Sequence, residues 1–401
     1  MLYLPAMPSS AVKGFPSEIE STFVELSQQC ASIVEAVCGS GARAKDVSDR
    51  FGVHAKLGWQ IWNVANAPSL GALRYLPTPP GLKSWRQAAE ARSVPASLLS
   101  RFDAAVADVE RVIERHADDR EMFEMLLDAE EHDADAELRW RKQAFLGNSF
   151  TFGARARCTV AAAILFPAPG SPAIGMVRLN GLVDLVRTRA GIRWPFSSLV
   201  VEQSGDSRIP GREPLVPSKH VAPLIPEFCS EPIPEIERRQ EGDVAFDELL
   251  PTSVGLTGAG TIFTGEIIRE LGSPYGQKPG EVAYFGTGIR TPSEVLVCDH
   301  IVHRSLFPGV QRELRVYSEL ASPTARSEAD RIEVHERLND LGFGLHRVRT
   351  ADVPQYAGLL ETAFEKANLD PEEFHVFRVV MRYPPIPASV MIRHPLLDPP
   401  Q

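Results

Sequence analysis

The spacing of apolar residues changes character once along this chain, near residue 150. That change restricts the protein to a helical part followed by a sheet-bearing part. From Ser17 to Val37, the residues Ile19, Phe23, Leu26, Cys30, Ile33 and Val37 recur at alternating four- and three-residue steps. This is the period of one apolar helix face. Leu99, Phe102, Val106, Val109 and Ile113 repeat in the same way after Pro95, a residue suited to a helix start because its missing N–H needs no partner there. Asp118 or Asp119 can cap a following short helix that carries Met122, Phe123, Leu126 and Leu127. Beyond residue 150, the runs TVAAAILF, MVRLN, SLVVEQ, TIFTGEII, EVAYFG, EVLVCDHIVH, ELRVYSE and EFHVFRVVMRY are rich in β-branched and aromatic residues. They are bounded by Gly, Pro or Ser, as strands are. One clear helix, residues 355–368, interrupts them, so a mainly antiparallel α+β domain is expected.

Within the helical part, AKDVSDRFGVHAKLGWQIWNVA, residues 44–65, is expected to form two short helices joined by a glycine turn. Val47 and Phe51 share a face of the first helix, which Gly52 can end because it accepts the left-handed conformation. Val53 follows as a buried turn residue, and Leu57 and Ile61 supply the inner face of the second helix. Lys56, Gln60 and Asn63 then fall on its outer side. Gln and Asn can pair bidentately with adenine, and Lys can reach guanine or phosphate. In its small-residue and Gly-Val core the segment resembles the helix-turn-helix of bacterial transcription regulators. The resemblance implies a helix placed in the major groove of double-stranded DNA, with Lys45, His54, Lys56, Gln60 and Asn63 at the interface. His54 stands where a Ser or Thr commonly caps such a helix. Gly58 should weaken it by about 1 kcal/mol relative to alanine, and Trp59 and Trp62 are expected to pack against neighbouring helices. An ordinary pair of packed helices is the alternative.

The stretch APSLGALRYLPTPPG, residues 67–81, has a strand-like apolar centre between Pro and Gly residues. It fits either a wing beside the second helix, with Arg74 and Lys83 near bound DNA, or a plain loop. The net charge of −10 argues against nucleic acid as a whole-chain property, but the charge is unevenly spread. Residues 1–100 hold nine Lys and Arg against seven Asp and Glu, and residues 101–150 hold seven against fourteen. The remainder holds twenty-six against thirty-one, so the only basic balance coincides with the segment that carries the expected reading helix. That excess is small, and a homodimer would double the phosphate contacts.

No run of eighteen apolar residues is present, so no membrane span is expected. The opening MLYLPAMPSSAVKGF lacks a basic start followed by a long apolar run, so no secretory signal is expected. Five scattered cysteines without a CxxC pair fit reduced thiols in a cytoplasm. The acidic run AEEHDADAE, which holds Glu130, Glu131, His132, Asp133 and Asp135, has no calcium-loop spacing and is expected to be a solvated helix end. Cys298 and His300 point to one face of a strand, with Asp299 and His303 nearby, but four residues of one strand cannot converge on one ion. No metal or other cofactor is therefore expected. GLTGAGT, residues 255–261, lacks the lysine of a phosphate loop and is expected to be a hairpin or bulge. Arg378 and Arg382, with Arg393 on the next run, are expected on the solvent side of an edge sheet.

The expected organisation is a multidomain chain: an all-α helix-turn-helix or winged-helix-like domain over residues 1–93, then a long helical linker or dimerisation segment over 94–138. An α+β, mainly antiparallel domain over 139–401 would follow, carrying an exposed proline-rich insert near 205–242 that holds seven prolines. The expected function is a cytoplasmic, sequence-specific transcription regulator acting on DNA as a homodimer, its C-terminal domain serving dimerisation or sensing of a small-molecule effector. No catalytic residue is assigned. The competing classes are an enzyme with a C-terminal pocket and an interaction protein that keeps the helix-turn-helix shape without binding DNA.

Overall fold

The computed structural model describes residues 14–66, 69–200, 212–324 and 326–398. The opening stretch and the first part of the proline-rich insert lie largely outside these residues, and so do the last residues of the run SLVVEQ. The chain divides into two compact units, residues 1–137 and 138–401. A helical region runs from residue 15 to residue 152, and a large mixed-sheet domain follows it.

The first unit holds α1 (Phe15–Cys38), α2 (Ala44–Phe51), α3 (Ala55–Ala65), α4 (Pro79–Ala91), α5 (Ala96–His116) and α6 (Arg120–Glu131). α7 (Ala134–Phe152) begins at its end. The periodic residues of α1 face inward: Ile19, Phe23, Leu26, Cys30 and Ile33 are buried. They meet Val47 and Phe51 of α2 and Ile61 and Val64 of α3 in one core. Asp119 caps α6, its carboxylate accepting the Met122 N–H at 2.8 Å.

Two expectations for this unit need correction. Leu70–Tyr75 is a turn of 3-10 helix, not a strand, so it supplies no wing. α5 is not a separate linker either, because Leu98, Leu99, Phe102, Ala105 and Val109 join the same core and α5 packs along α1.

Among the described residues the second unit holds the greater part of α7, followed by fourteen strands and a further α-helix: β1 (Ala154–Pro167), β2 (Ile174–Arg187), β3 (Trp194–Val200), β4 (Arg212–Pro214), β5 (Ile236–Glu241), β6 (Val244–Leu249), β7 (Gly260–Gly272), β8 (Val282–Ile289), β9 (Ser293–His303), β10 (Glu313–Ser318), β11 (Arg331–Ile332), β12 (Asn339–Phe343), α8 (Tyr356–Ala367), β13 (Phe374–Arg382) and β14 (Ala388–Pro395). A seven-stranded sheet has the order β12-β13-β9-β1-β2-β7-β4. Its pairings are antiparallel except for β1 with β9, which is parallel. A four-stranded sheet, β11-β10-β14-β8, and a three-stranded sheet, β3-β6-β5, complete the unit.

α8 covers one face of the large sheet, burying Leu359, Leu360, Ala363 and Phe364 against Val160, Val297 and Val376. The four-stranded sheet covers the other face, where Val316, Val390 and Ile392 meet Ala161, Leu296, Cys298 and Met381. Strand alternation explains the split, since successive side chains leave a strand on opposite sides.

The described part of the proline-rich insert is not an exposed excursion, because Leu215, Ala222, Leu224, Ile225 and Phe228 are buried. These apolar residues sit between the prolines and tie the segment down. Residues 255–261 form no hairpin: a 3-10 turn, Leu256–Gly258, leads straight into β7, whose start meets β2 at a register irregularity between Leu182 and Leu185.

Candidate functional site

The α2–α3 corner is fixed by three local devices. Gly52 takes φ 70°, ψ 33°, a left-handed conformation that a side chain would strain. Its N–H and that of Val53 both donate to the Ser48 carbonyl, at 2.9 and 3.1 Å, closing the end of α2. His54 then caps α3 with a ring nitrogen in place of a hydroxyl: Nδ1 accepts the Lys56 N–H at 3.2 Å. The third device is Gly58. A Cβ built there would lie 2.7 Å from Ser48 Cβ and 2.8 Å from Ser48 Cα. The glycine that looks costly by helix propensity is what lets α3 cross α2 at contact distance. Trp62 locks the corner further, donating from Nε1 to the Ala42 carbonyl at 2.8 Å.

The residues assigned to DNA separate into two groups. Lys45, His54, Lys56 and Lys83 are exposed. Gln60 and Asn63 are half-buried, and the Asn63 amide already donates to the Trp59 carbonyl at 2.8 Å. Trp59 does not bury itself against a neighbouring helix, being 44% exposed with its ring edge-on to Tyr75 at 4.9 Å. Arg74 leaves the candidate set, because its guanidinium holds Asp128 at 3.0 Å and Glu131 at 3.2 Å. Glu131 also accepts the Gly71 N–H at 2.5 Å. The acidic helix end is thus a clamp on the 3-10 turn.

Three cations not assigned from sequence stand with the exposed ones. Arg43, Arg50 and Arg92 are exposed, and Arg92 Nη2 lies 3.5 Å from where a Gly52 Cβ would stand. Among the described residues, none of Arg43, Lys45, Arg50, Lys56, Lys83 and Arg92 has a carboxylate within ion-pair distance. The signal was present in the charge count: residues 43–92 carry eight Lys and Arg against three Asp and Glu. Residues 93–137 carry four against fourteen, so the unit as a whole is acidic while this segment is basic.

In the second unit, the Cys298–His303 group is dispersed. Cys298 faces the four-stranded sheet, and burial pushes its thiol up to about 12, which suppresses the nucleophilic thiolate. Asp299 faces α8, where it takes Arg378 Nε and Nη2 at 2.7 Å each and the Tyr356 hydroxyl at 2.8 Å. His303 ends the strand between Ser305 and Glu373. Arg378 is accordingly buried in an interior strand and not on the solvent side of an edge. Arg382 and Arg393 lie apart from it, Arg393 pairing with Glu313. Among the described residues, no group of three or more His, Cys, Asp or Glu is placed to hold a metal ion. No described helix is long and apolar enough to cross a membrane.

No family model matches the chain, and no curated protein does. One solved structure, a crystal structure titled a "putative protease" from Parabacteroides distasonis ATCC 8503, is similar at 8% identity with a TM-score of 0.24. The match covers 61% of this chain and only 40% of that one, and a likeness of that degree carries no argument about fold or activity.

Proposed function

We propose that α2 and α3 form a helix-turn-helix, that α3 enters the major groove of double-stranded DNA, and that the protein is a sequence-specific transcription regulator working as a homodimer. The second unit then serves dimerisation or the sensing of a small effector. The observation that carries this reading is the set of six exposed cations without a carboxylate partner on and around α2, α3 and α4, in a unit whose other helices are acidic. Unpaired Lys and Arg are free to displace counterions from phosphates, and the outer positions of α3 offer an amide, Gln60, for base contacts.

Fluorescence anisotropy with labelled genomic fragments at two salt concentrations tests it. Affinity should fall steeply with salt, by a log–log slope of about 0.9 per phosphate contact. Lys56→Ala should flatten that slope, and Gln60→Ala should cost about 1–3 kcal/mol at one base position. Arg74→Ala should leave the slope unchanged. Binding indifferent to salt and to a combined change of Lys45, Lys56 and Lys83 to alanine would remove this face from DNA.

One observation favours a second reading. Trp59, exposed at the centre of the outer face of α3, is the kind of aromatic anchor that protein interfaces use. If that reading holds, Trp59→Ala abolishes partner capture while DNA affinity is absent in the unaltered protein.

A further inference from the structure

Between the seven-stranded and four-stranded sheets lies a cavity of about 230 Å³ whose origin is legible in the strand register. Ala163 of β1 pairs with Arg178 of β2 on one side and His300 of β9 on the other. Ala161, two residues back, pairs likewise with Asn180 and Cys298. Two alanine methyls thus form a low floor between two rows of larger side chains. Neighbouring strands stand about 4.8 Å apart, so the Arg178 and His300 backbones are roughly 10 Å apart across that floor. Phe285 of β8 and Ile392 of β14 line the cavity from the other sheet, and Met176 adds a further apolar wall.

One polar end of this trough is unsatisfied and the other carries surplus charge. His300 is 1% exposed, and both of its ring nitrogens lack a hydrogen-bond partner. Buried polar groups are almost always paired, so two open nitrogens on one buried ring in a cavity wall ask for a ligand. His394, its ring 5.7 Å away, spends Nδ1 on the Pro395 carbonyl and leaves Nε2 open as well. At the other end, Arg178 and Arg212 share the single carboxylate of Glu266, which leaves one positive charge in excess. Arg178 commits Nε and Nη2 to Glu266, and its side chain is 35% exposed, which marks the mouth.

We infer that this trough binds a small aromatic carboxylate bearing a para hydroxyl, with the carboxylate at Arg178, the ring over Ala161 and Ala163, and the hydroxyl at His300. The volume suits it: room for about eight waters at liquid density is room for a ligand of roughly ten non-hydrogen atoms. Burial holds His300 well below its ordinary value, so the ring is neutral and keeps one nitrogen as an acceptor for the hydroxyl. The ligand site stands whether or not α3 binds DNA; only its use as an effector site rests on that reading.

The test is calorimetric titration of the full chain with 4-hydroxybenzoate, benzoate and 4-hydroxybenzamide. The expected order is 4-hydroxybenzoate tightest, each comparator weaker by about tenfold or more, the worth of one hydrogen bond to a charged or buried group. Arg178→Gln leaves Glu266 paired with Arg212, and should bring the carboxylate down to the level of the amide. His300→Phe keeps the ring volume, and should bring 4-hydroxybenzoate down to the level of benzoate. Should the second variant fail to fold, imidazole ¹⁵N shifts of the unaltered protein give the same answer, since 4-hydroxybenzoate must move the His300 resonances. Absence of saturable 4-hydroxybenzoate binding, or binding that both variants leave unchanged, overturns the proposal. DNA affinity measured in the same samples fails or succeeds independently.

Discussion

A buried imidazole is stable only while it stays neutral. Burial, with help from the neighbouring His394 and Arg312, holds His300 well below its ordinary value near 6.5, and burial likewise lowers His394. Below pH 6.5 the unfolded chain therefore takes up protons that the folded chain refuses, and stability falls as the pH falls. Each such histidine contributes a slope of at most about 1.4 kcal/mol per pH unit within that window, approached by His300. Urea denaturation at pH 7.5, 6.5 and 5.5 should show this loss, and His300→Phe should reduce the slope by about one proton's worth. An unchanged slope in that variant would place the proton uptake elsewhere. At this scale the sequence showed only what strand alternation shows, that Cys298 and His300 share a face. Which group each side chain meets was hidden, because the partners are remote. Arg378 reaches Asp299 across 79 positions, and no local pattern encodes that pairing.

Helix periods were readable element by element because burial of one face leaves a repeating trace. α1, α5, α6 and α8 stand where their apolar steps placed them. Close approach between elements leaves a fainter trace, a small residue where a large one is common, and Gly58 was misjudged for that reason. Propensity alone would make Gly58→Ala stabilising by about 1 kcal/mol. The contact with Ser48 Cα is with backbone, which cannot swing aside, so overpacking of about 1–3 kcal/mol wins. Thermal denaturation of the G58A variant should show a net loss of stability, and a gain would mean that α2 and α3 slide apart at no cost. The 3-10 turn over Leu70–Tyr75 was also unreadable in advance. Its conformation depends on Glu131 gripping the Gly71 N–H and the Arg74 guanidinium from sixty residues away or nearly so.

On the scale of the whole molecule, the end of the helical region at residue 152 was visible as a change of period, and the charge segregation was visible as a count. What composition could not show was where the acidic helices end their sequence role and begin a spatial one. The assembly state follows no local rule either. The expected dimerisation segment offers little help, since the inward residues of α5 are covered within the unit. The remaining case for a homodimer is the need of a modest basic surface for two half-sites on one face of DNA. Light scattering should give twice the 44.1 kDa chain mass, and a monomer at tens of micromolar would leave single-site binding.

β1 carries a consequence that concerns time. It gains its first neighbour, β2, by a direct hairpin, while its other neighbour, β9, begins only at Ser293. During synthesis the most apolar strand of the sheet therefore waits with one edge bare while β2 to β8 emerge. Closing so long a loop is slow, and a bare apolar edge is a template for pairing with other chains. Pull-down of stalled nascent chains should show holdase chaperones bound most strongly before residue 303 has left the ribosome, and less strongly afterwards, when β9 covers the edge of β1 and β10 to β14, with α8, are still to come.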